Sequence, residues 1–127
     1  MEYLHVTIRP MEERDLPAVM EVENLCFKHP WKKEDFLYEM HDNEFSNPWV
    51  LELGNTDESV VSVVGFSVYW KTFDSATICQ IAVHPYLQRR QLGSAIMDEI
   101  INDFIEANIP EYEEFTGLLK NWRQEII

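Results

Sequence analysis

Positive charge is scarce in this chain of 127 residues: ten lysines and arginines stand against 23 aspartates and glutamates, for a formal net charge of −13. A surface of that sign repels a phosphate backbone, which argues against general nucleic-acid binding. It suits a basic protein or peptide partner, although solubility alone accounts for much of it. Cysteine is scarce too. Cys26 and Cys79 lie far apart in no CxxC or metal-ligand spacing, so they read as buried free thiols of a reducing compartment. No apolar run is long enough to span a bilayer, and the N-terminus has no signal-like apolar region, so the expected location is the cytoplasm. Repeats, low-complexity tracts and breaks in composition are absent, which leaves a single domain over residues 1–127. What the chain does have is 46% hydrophobic and 13% aromatic residues, ample for a core. A domain of this size buries roughly two-thirds of its unfolded surface.

Alternation over residues 5–9 predicts a first strand, ended by Pro10. Asp15 before Leu16 and Pro17 is a helix start, a cap with proline in the first turn. Leu16, Val19, Met20, Cys26 and Phe27 then fall on one helical face, and Lys28, His29 and Pro30 break the helix. Residues 31–40 read as a second helix with Phe36, Leu37 and Met40 inward. Residues 43–48 read as loop, 49–53 as a strand and 54–58 as a polar turn. Residues 60–70 read as a long, nearly continuous apolar strand broken by Gly65, and a turn at residues 73–75 leads to a strand over 76–83. Ile96, Met97, Ile100, Ile101, Phe104 and Ile105 repeat at helical spacing up to Pro110. The order is strand, two helices, three strands, helix. It predicts a mixed α/β fold with helices on both faces of the sheet.

The most informative stretch joins the last strand to the last helix. Ile81, Ala82 and Val83 run into His84, Pro85, Tyr86 and Leu87, then a short basic loop of Gln88, Arg89, Arg90 and Gln91, then Leu92, Gly93 and Ser94. A helix that starts there aims free backbone N–H groups and the positive end of its dipole at one spot, which suits a phosphate or pyrophosphate. Arg89 and Arg90 add full charge beside it, and ligands of such folds bind outside the carboxyl ends of strands.

With these pieces in order, the sequence resembles the GNAT (Gcn5-related) N-acetyltransferase superfamily over residues 7–107. Residues 7–16 resemble its first strand and helix entry, residues 64–68 its central strand, and residues 81–95 its acetyl-CoA motif. Within it, the run Phe27, Lys28, His29, Pro30, Trp31 resembles the ribosomal-protein-alanine N-acetyltransferases. The resemblance implies a GNAT-like fold and acetyl-CoA as co-substrate. It implies that Ile81, Ala82 and Val83 offer backbone groups to the pantetheine arm. It implies that Gln88, Arg89, Arg90, Gln91, Leu92, Gly93 and Ser94 cradle the pyrophosphate. Phe27 and Trp31 fall where the superfamily builds its acceptor-binding loop. Gln91 stands where the family usually has its first glycine, and the expected effect is weaker cofactor binding.

Residues 108–127 do not fit the strands and helix that close the family's acceptor site, so the expected fold lacks them and no catalytic residue is assigned. Tyr112, Glu113 and Glu114 read better as an acidic connector than as acid and base. Leu118, Leu119, Trp122 and Ile126 lie at helical spacing. An uncovered edge would be sticky, which makes a homodimer that covers it an expectation. His84 and Pro85 read as shaping the loop exit, His29 and His41 as surface residues, and no metal site is expected. Trp31 and Trp49 either pack in the core or line an acceptor pocket. Three functional readings stay open: an N-acetyltransferase acting on a ribosomal protein N-terminus, an acetyl-CoA-binding or assembly module without turnover, and an acetyltransferase for a small amine.

Overall fold

Apolar residues at every second position of the strands and every third or fourth of the helices give a three-layer arrangement in the computed structural model. It describes residues 5–54, 61–73, 75–87 and 92–106, without the side chains of 86, 92–94 and 104–106. The elements are β1 (His5–Pro10), a 3-10 turn (Glu13–Asp15), α1 (Leu16–Cys26), α2 (Lys33–His41), β2 (Ser46–Gly54), β3 (Val61–Lys71), β4 (Ala76–Val83), a second 3-10 turn (Pro85–Leu87) and α3 (Leu92–Glu106). The strands form one sheet in the order β1-β2-β3-β4, with all three pairings antiparallel. The expected order of elements and the α/β class are both met.

Alternation sorts the strand side chains between two cores. Val50, Phe66, Val68 and Ala82 pack with Leu16, Val19 and Val22 of α1 and Phe36 of α2. Leu51, Val64, Tyr69 and Val83 pack with Ile96, Met97 and Ile100 of α3. Burying a side chain of this kind stabilises the fold by about 1.5–3 kcal/mol. The apolar stripe expected for α3 therefore does face the sheet.

Two one-residue irregularities set the phase of the sheet. Leu51 pairs with Gly65 but Glu52 with Val63, so Val64 is an extra residue in β3. Val68 pairs with Gln80 but Tyr69 with Ile78, so Cys79 is an extra residue in β4. Each insertion exchanges the faces that the following side chains occupy.

Three local expectations are corrected. Residues 46–48, read as loop, are the start of β2, in register with residues 68–70 of β3. Pro48 is tolerated because its ring nitrogen falls on the β1 side, where β1 has ended; its carbonyl accepts from Met11 N–H at 2.9 Å. Asp15 does not cap α1 with its side chain. Its carboxylate instead accepts from Glu12 N–H at 2.8 Å and from both terminal nitrogens of Arg9. The second helix begins at Lys33, with Lys32 as its N-cap, and not at Trp31. Among the described residues, no helix is long and apolar enough to cross a membrane.

Candidate functional site

The C-terminal end of β4 meets the C-terminal end of α1 and the start of α3. His84 N–H donates to Val64 C=O at 2.7 Å, which continues the β3–β4 ladder one residue past the strand. In an antiparallel pair the residues that bond across the ladder alternate with those that point away. The register pairs Ala82 with Phe66 and Ile81 with Ser67. Ala82 therefore bonds toward β3, whereas Ile81 and Val83 direct their backbone N–H and C=O groups to the outer edge of β4, an edge that no described strand covers. Of the three residues expected to offer backbone groups, Ile81 and Val83 face that edge and Ala82 faces β3.

Close packing fixes this strand. A Cβ on Gly65 would lie 2.9 Å from the Ala82 carbonyl oxygen, so glycine is what lets β3 and β4 approach here. His84 is held at both ends of its peptide unit: its N–H binds Val64, and its C=O accepts from Leu87 N–H at 2.8 Å. Its ring lies 3.9 Å from Glu21 of α1. The loop-shaping role expected for His84 matches these contacts. The chain then turns through Pro85–Leu87 toward α3, whose first residues are Leu92, Gly93 and Ser94. Gln88, Arg89, Arg90 and Gln91 lie outside the described residues, as do the turn after Gly54 and residues 107–127 with the proposed connector, tail helix and dimer contacts.

On the α1 side, Cys26 Sγ–H donates to Val83 C=O at 3.3 Å. This places the residue before Phe27 against the last residue of β4. Phe27 is the C-cap of α1 and donates its N–H to Glu23 C=O at 3.0 Å. Trp31 N–H donates to the Glu23 carboxylate at 2.8 Å, and its ring sits 5.2 Å from that of Phe36. The Phe36 ring in turn meets Phe66 edge-on at 5.4 Å. Phe27 and Trp31 are thus half-buried at the rim of the α1–α2 core, close in space to the end of β4. Trp49 is on the other face of the sheet, in the α3 core, so Trp31 and Trp49 do not line one pocket.

Glu23 is a group that sequence reasoning missed. It is 0% exposed, and burial raises its carboxyl above the ordinary range, with the charge of Asp35 adding to the effect. Seven residues after Leu16 on α1, it falls on the inward face, and that spacing was the available signal. Burial likewise raises the Cys26 thiol and pushes Cys79 up to about 12, so both free thiols stay protonated and inert at neutral pH. His29 is exposed, and exposed His41 pairs with Glu13 at 2.7 Å. Among the described residues no group of three or more His, Cys, Asp and Glu could hold a metal ion.

A second concavity lies on the α3 face between Trp49, Ser67, Tyr69, Glu99 and Asp103. Tyr69 O–H donates to Asp103 at 2.6 Å, and Lys71 Nζ holds the other oxygen of that carboxylate at 2.9 Å. This concavity is separated by the sheet from Phe27 and Trp31.

An extended, amide-bearing arm fits the outer edge at Ile81 as an added strand would, because the groups it needs already face outward. Known proteins bear on what such an arm belongs to. The profile of the acetyltransferase (GNAT) family matches residues 16–117. The [ribosomal protein bS18]-alanine N-acetyltransferase of Escherichia coli (strain K12) is 28% identical over 97 residues, which are 76% of this chain and 60% of that enzyme. A Bacillus subtilis (strain 168) protein that carries the same name provisionally is 28% identical over 89 residues, 70% of this chain and 55% of its own length. The chain thus spans somewhat more than half the length of these relatives. The crystal structure of the E. coli enzyme superposes with a TM-score of 0.62 at 27% identity, covering 78% of this chain and 59% of that one. Ard1 from Thermoplasma volcanium shares the fold, with a TM-score of 0.68 at 22% identity over 92% of this chain and 80% of its own. The order of β4 and α3, the placement of α1 against the end of β4 and the family profile over residues 16–117 agree: the chain belongs to the acetyltransferase (GNAT) family.

Proposed function

We propose that the protein transfers an acetyl group from acetyl-CoA to an amine, and that the acceptor is the N-terminal alanine of a ribosomal protein. The observation that carries the reading is the outward-facing backbone of Ile81 at the end of β4, beside both the start of α3 and the Phe27–Trp31 segment. In this reading Ile81 and Val83 bind the pantetheine arm through backbone groups, and Ala82 keeps the strand in register. Gln88, Arg89, Arg90, Gln91, Leu92, Gly93 and Ser94 hold the pyrophosphate with backbone amides, cationic side chains and the positive end of α3. Phe27 and Trp31 contact the acceptor.

The chemistry is a direct transfer. The neutral amine attacks the thioester carbon, a C–N bond forms, and the C–S bond breaks. The CoA sulfur leaves as thiolate and takes up a proton, while the amine loses one. A backbone N–H at the edge of β4 polarises the carbonyl as charge develops on its oxygen. The acidic surface draws in a basic peptide. The finer acceptor assignment rests on the names of the E. coli and B. subtilis relatives and on the resemblance of the Phe27–Trp31 run. We place the protein in the cytoplasm on the same basis.

Calorimetric titration with acetyl-CoA, followed by turnover on a basic peptide that begins with alanine, tests the reading. Binding on the order of micromolar, about −8 kcal/mol, is expected. Gly93→Asp should abolish it while the fold is retained, since an aspartate in the first turn of a helix is otherwise favourable. Unchanged affinity in Gly93→Asp would remove the pyrophosphate site. Turnover on spermidine with none on the peptide would replace the acceptor.

A further inference from the structure

Four observations converge on Glu23, which the proposed chemistry leaves unused. Its carboxyl is fully buried on the inward face of α1. Its Oε1 accepts Trp31 N–H at 2.8 Å. Its Oε2 has no hydrogen-bond partner. The side chain of Gln80 in β4, one residue before Ile81, lies within hydrogen-bonding reach of the same carboxyl, and its Oε1 is also buried without a partner. Two bare acceptor oxygens in one apolar site are costly, because each has lost its water and gained no donor. One proton on Glu23 satisfies both at once, because Oε2–H then donates to Gln80 Oε1.

We propose that Glu23 is a positioning residue: it carries its proton and ties the Phe27–Trp31 segment to β4 through Trp31 N–H on one side and Gln80 on the other. The tie spans the acceptor side and the cofactor side of the site. It leaves the reacting atoms to other groups and holds the wall against which the acceptor is placed. Its functional part rests on the acetyltransferase reading; its structural part does not.

Burial, the largest influence, and Asp35 of α2 favour the protonated form and outweigh the opposing pull of the Trp31 N–H and the Gln80 side chain, and Cys26 of α1 is a further titratable neighbour that feels Glu23. No cation is among the influences acting on the carboxyl. The arrangement differs from that at Asp15, where the Arg9 guanidinium and the Glu12 N–H hold the carboxylate in its charged form.

Three variants test the proposal. Glu23→Gln keeps an acceptor for Trp31 and a donor for Gln80. Glu23→Ala removes both, and Gln80→Leu removes one partner. Amide exchange at Trp31, followed by NMR, should be slow in the wild type and in Glu23→Gln and faster in Glu23→Ala. The KM for the alanine-starting peptide should rise about tenfold in Glu23→Ala and Gln80→Leu, with kcat and acetyl-CoA affinity changed far less, and should return near the wild-type value in Glu23→Gln. The stability of the wild type relative to Glu23→Gln should fall as the pH rises above the ordinary glutamate value of 4.5, because the unfolded chain ionises there while the buried carboxyl keeps its proton. Trp31 exchange that is unchanged in Glu23→Ala overturns the tie. A flat stability difference overturns the proton. Equal loss of acetyl-CoA binding and peptide binding in folded Glu23→Ala and Gln80→Leu overturns the specific role at the acceptor wall. A wild type that binds acetyl-CoA but acetylates no peptide removes the proposed function instead, and the exchange experiment still decides the tie.

Discussion

At the scale of single residues, the two buried carboxyls of α1 and its entry are held in opposite states. Burial raises Asp15, but the Arg9 guanidinium at 2.7 Å and the Glu12 N–H outweigh it and leave the carboxyl below its ordinary value. Glu52 binds the same guanidinium from β2. A depressed carboxyl gives stability that is present above its ordinary pKa near 3.8 and is lost as the pH falls. Arg9→Met leaves two carboxylates without their cation and should destabilise the fold by about 3 kcal/mol at neutral pH. The difference should shrink as both carboxyls protonate; guanidinium denaturation at a series of pH values measures it. Neither carboxyl's role was legible in the sequence. Asp15 looked like a helix cap because aspartate before Leu16 and Pro17 is the ordinary signature of one, and the partner that claimed it, Arg9, sits on a strand. Glu23 drew no reading because hydropathy patterns pass over a glutamate, whatever face its spacing assigns.

Among the elements, those defined by strong periodicity were legible and those defined by pairing were not. β4 runs from Ala76 to Val83 as expected, and α3 carries its stripe inward. The start of β2 was missed because Ser46, Asn47 and Pro48 have the composition of a loop; their pairing with residues 68–70 of β3 overrides it. The outward turn of Ile81 and Val83 rests on their pairing with Ser67 and Gly65 and on the bond from His84 to Val64, which no hydropathy pattern encodes. Gly65 gives the prediction proper to this scale. A methyl group there meets the Ala82 carbonyl oxygen at 2.9 Å, which is backbone and cannot swing aside. Gly65→Ala should cost about 1–3 kcal/mol and loosen the end of β4. Thermal unfolding measures the first effect, and faster amide exchange at Ala82 and His84 measures the second.

Over the whole molecule, the formal charge of −13 confines positive potential to a few places, one of them the run Arg89 and Arg90. Added salt should therefore weaken two interactions of opposite sense, basic peptide with the acidic surface and acetyl-CoA with the basic loop. The peptide KM and the acetyl-CoA Kd should both rise between about 0.05 M and about 0.5 M salt. In Arg89→Glu/Arg90→Glu the salt dependence of acetyl-CoA binding should largely vanish while that of the peptide persists. Family membership was legible because the junction at residues 81–95 is contiguous in sequence; the seat of the Phe27–Trp31 run was not, since its support comes from Glu23 and Cys26 of α1 and the end of β4. The extra residue at Cys79 has a consequence in terms of parity. Removing Cys79 alone would join Ile78 to Gln80, whose partners Tyr69 and Val68 are already neighbours, so the ladder would close with Ile81 and Val83 still turned outward and Gln80 still beside Glu23. Removing two residues there would leave the strand one short and out of phase. A single deletion at residue 79 should therefore be tolerated where a double one is not, so that the bulge serves as a spare place in the count of the strand.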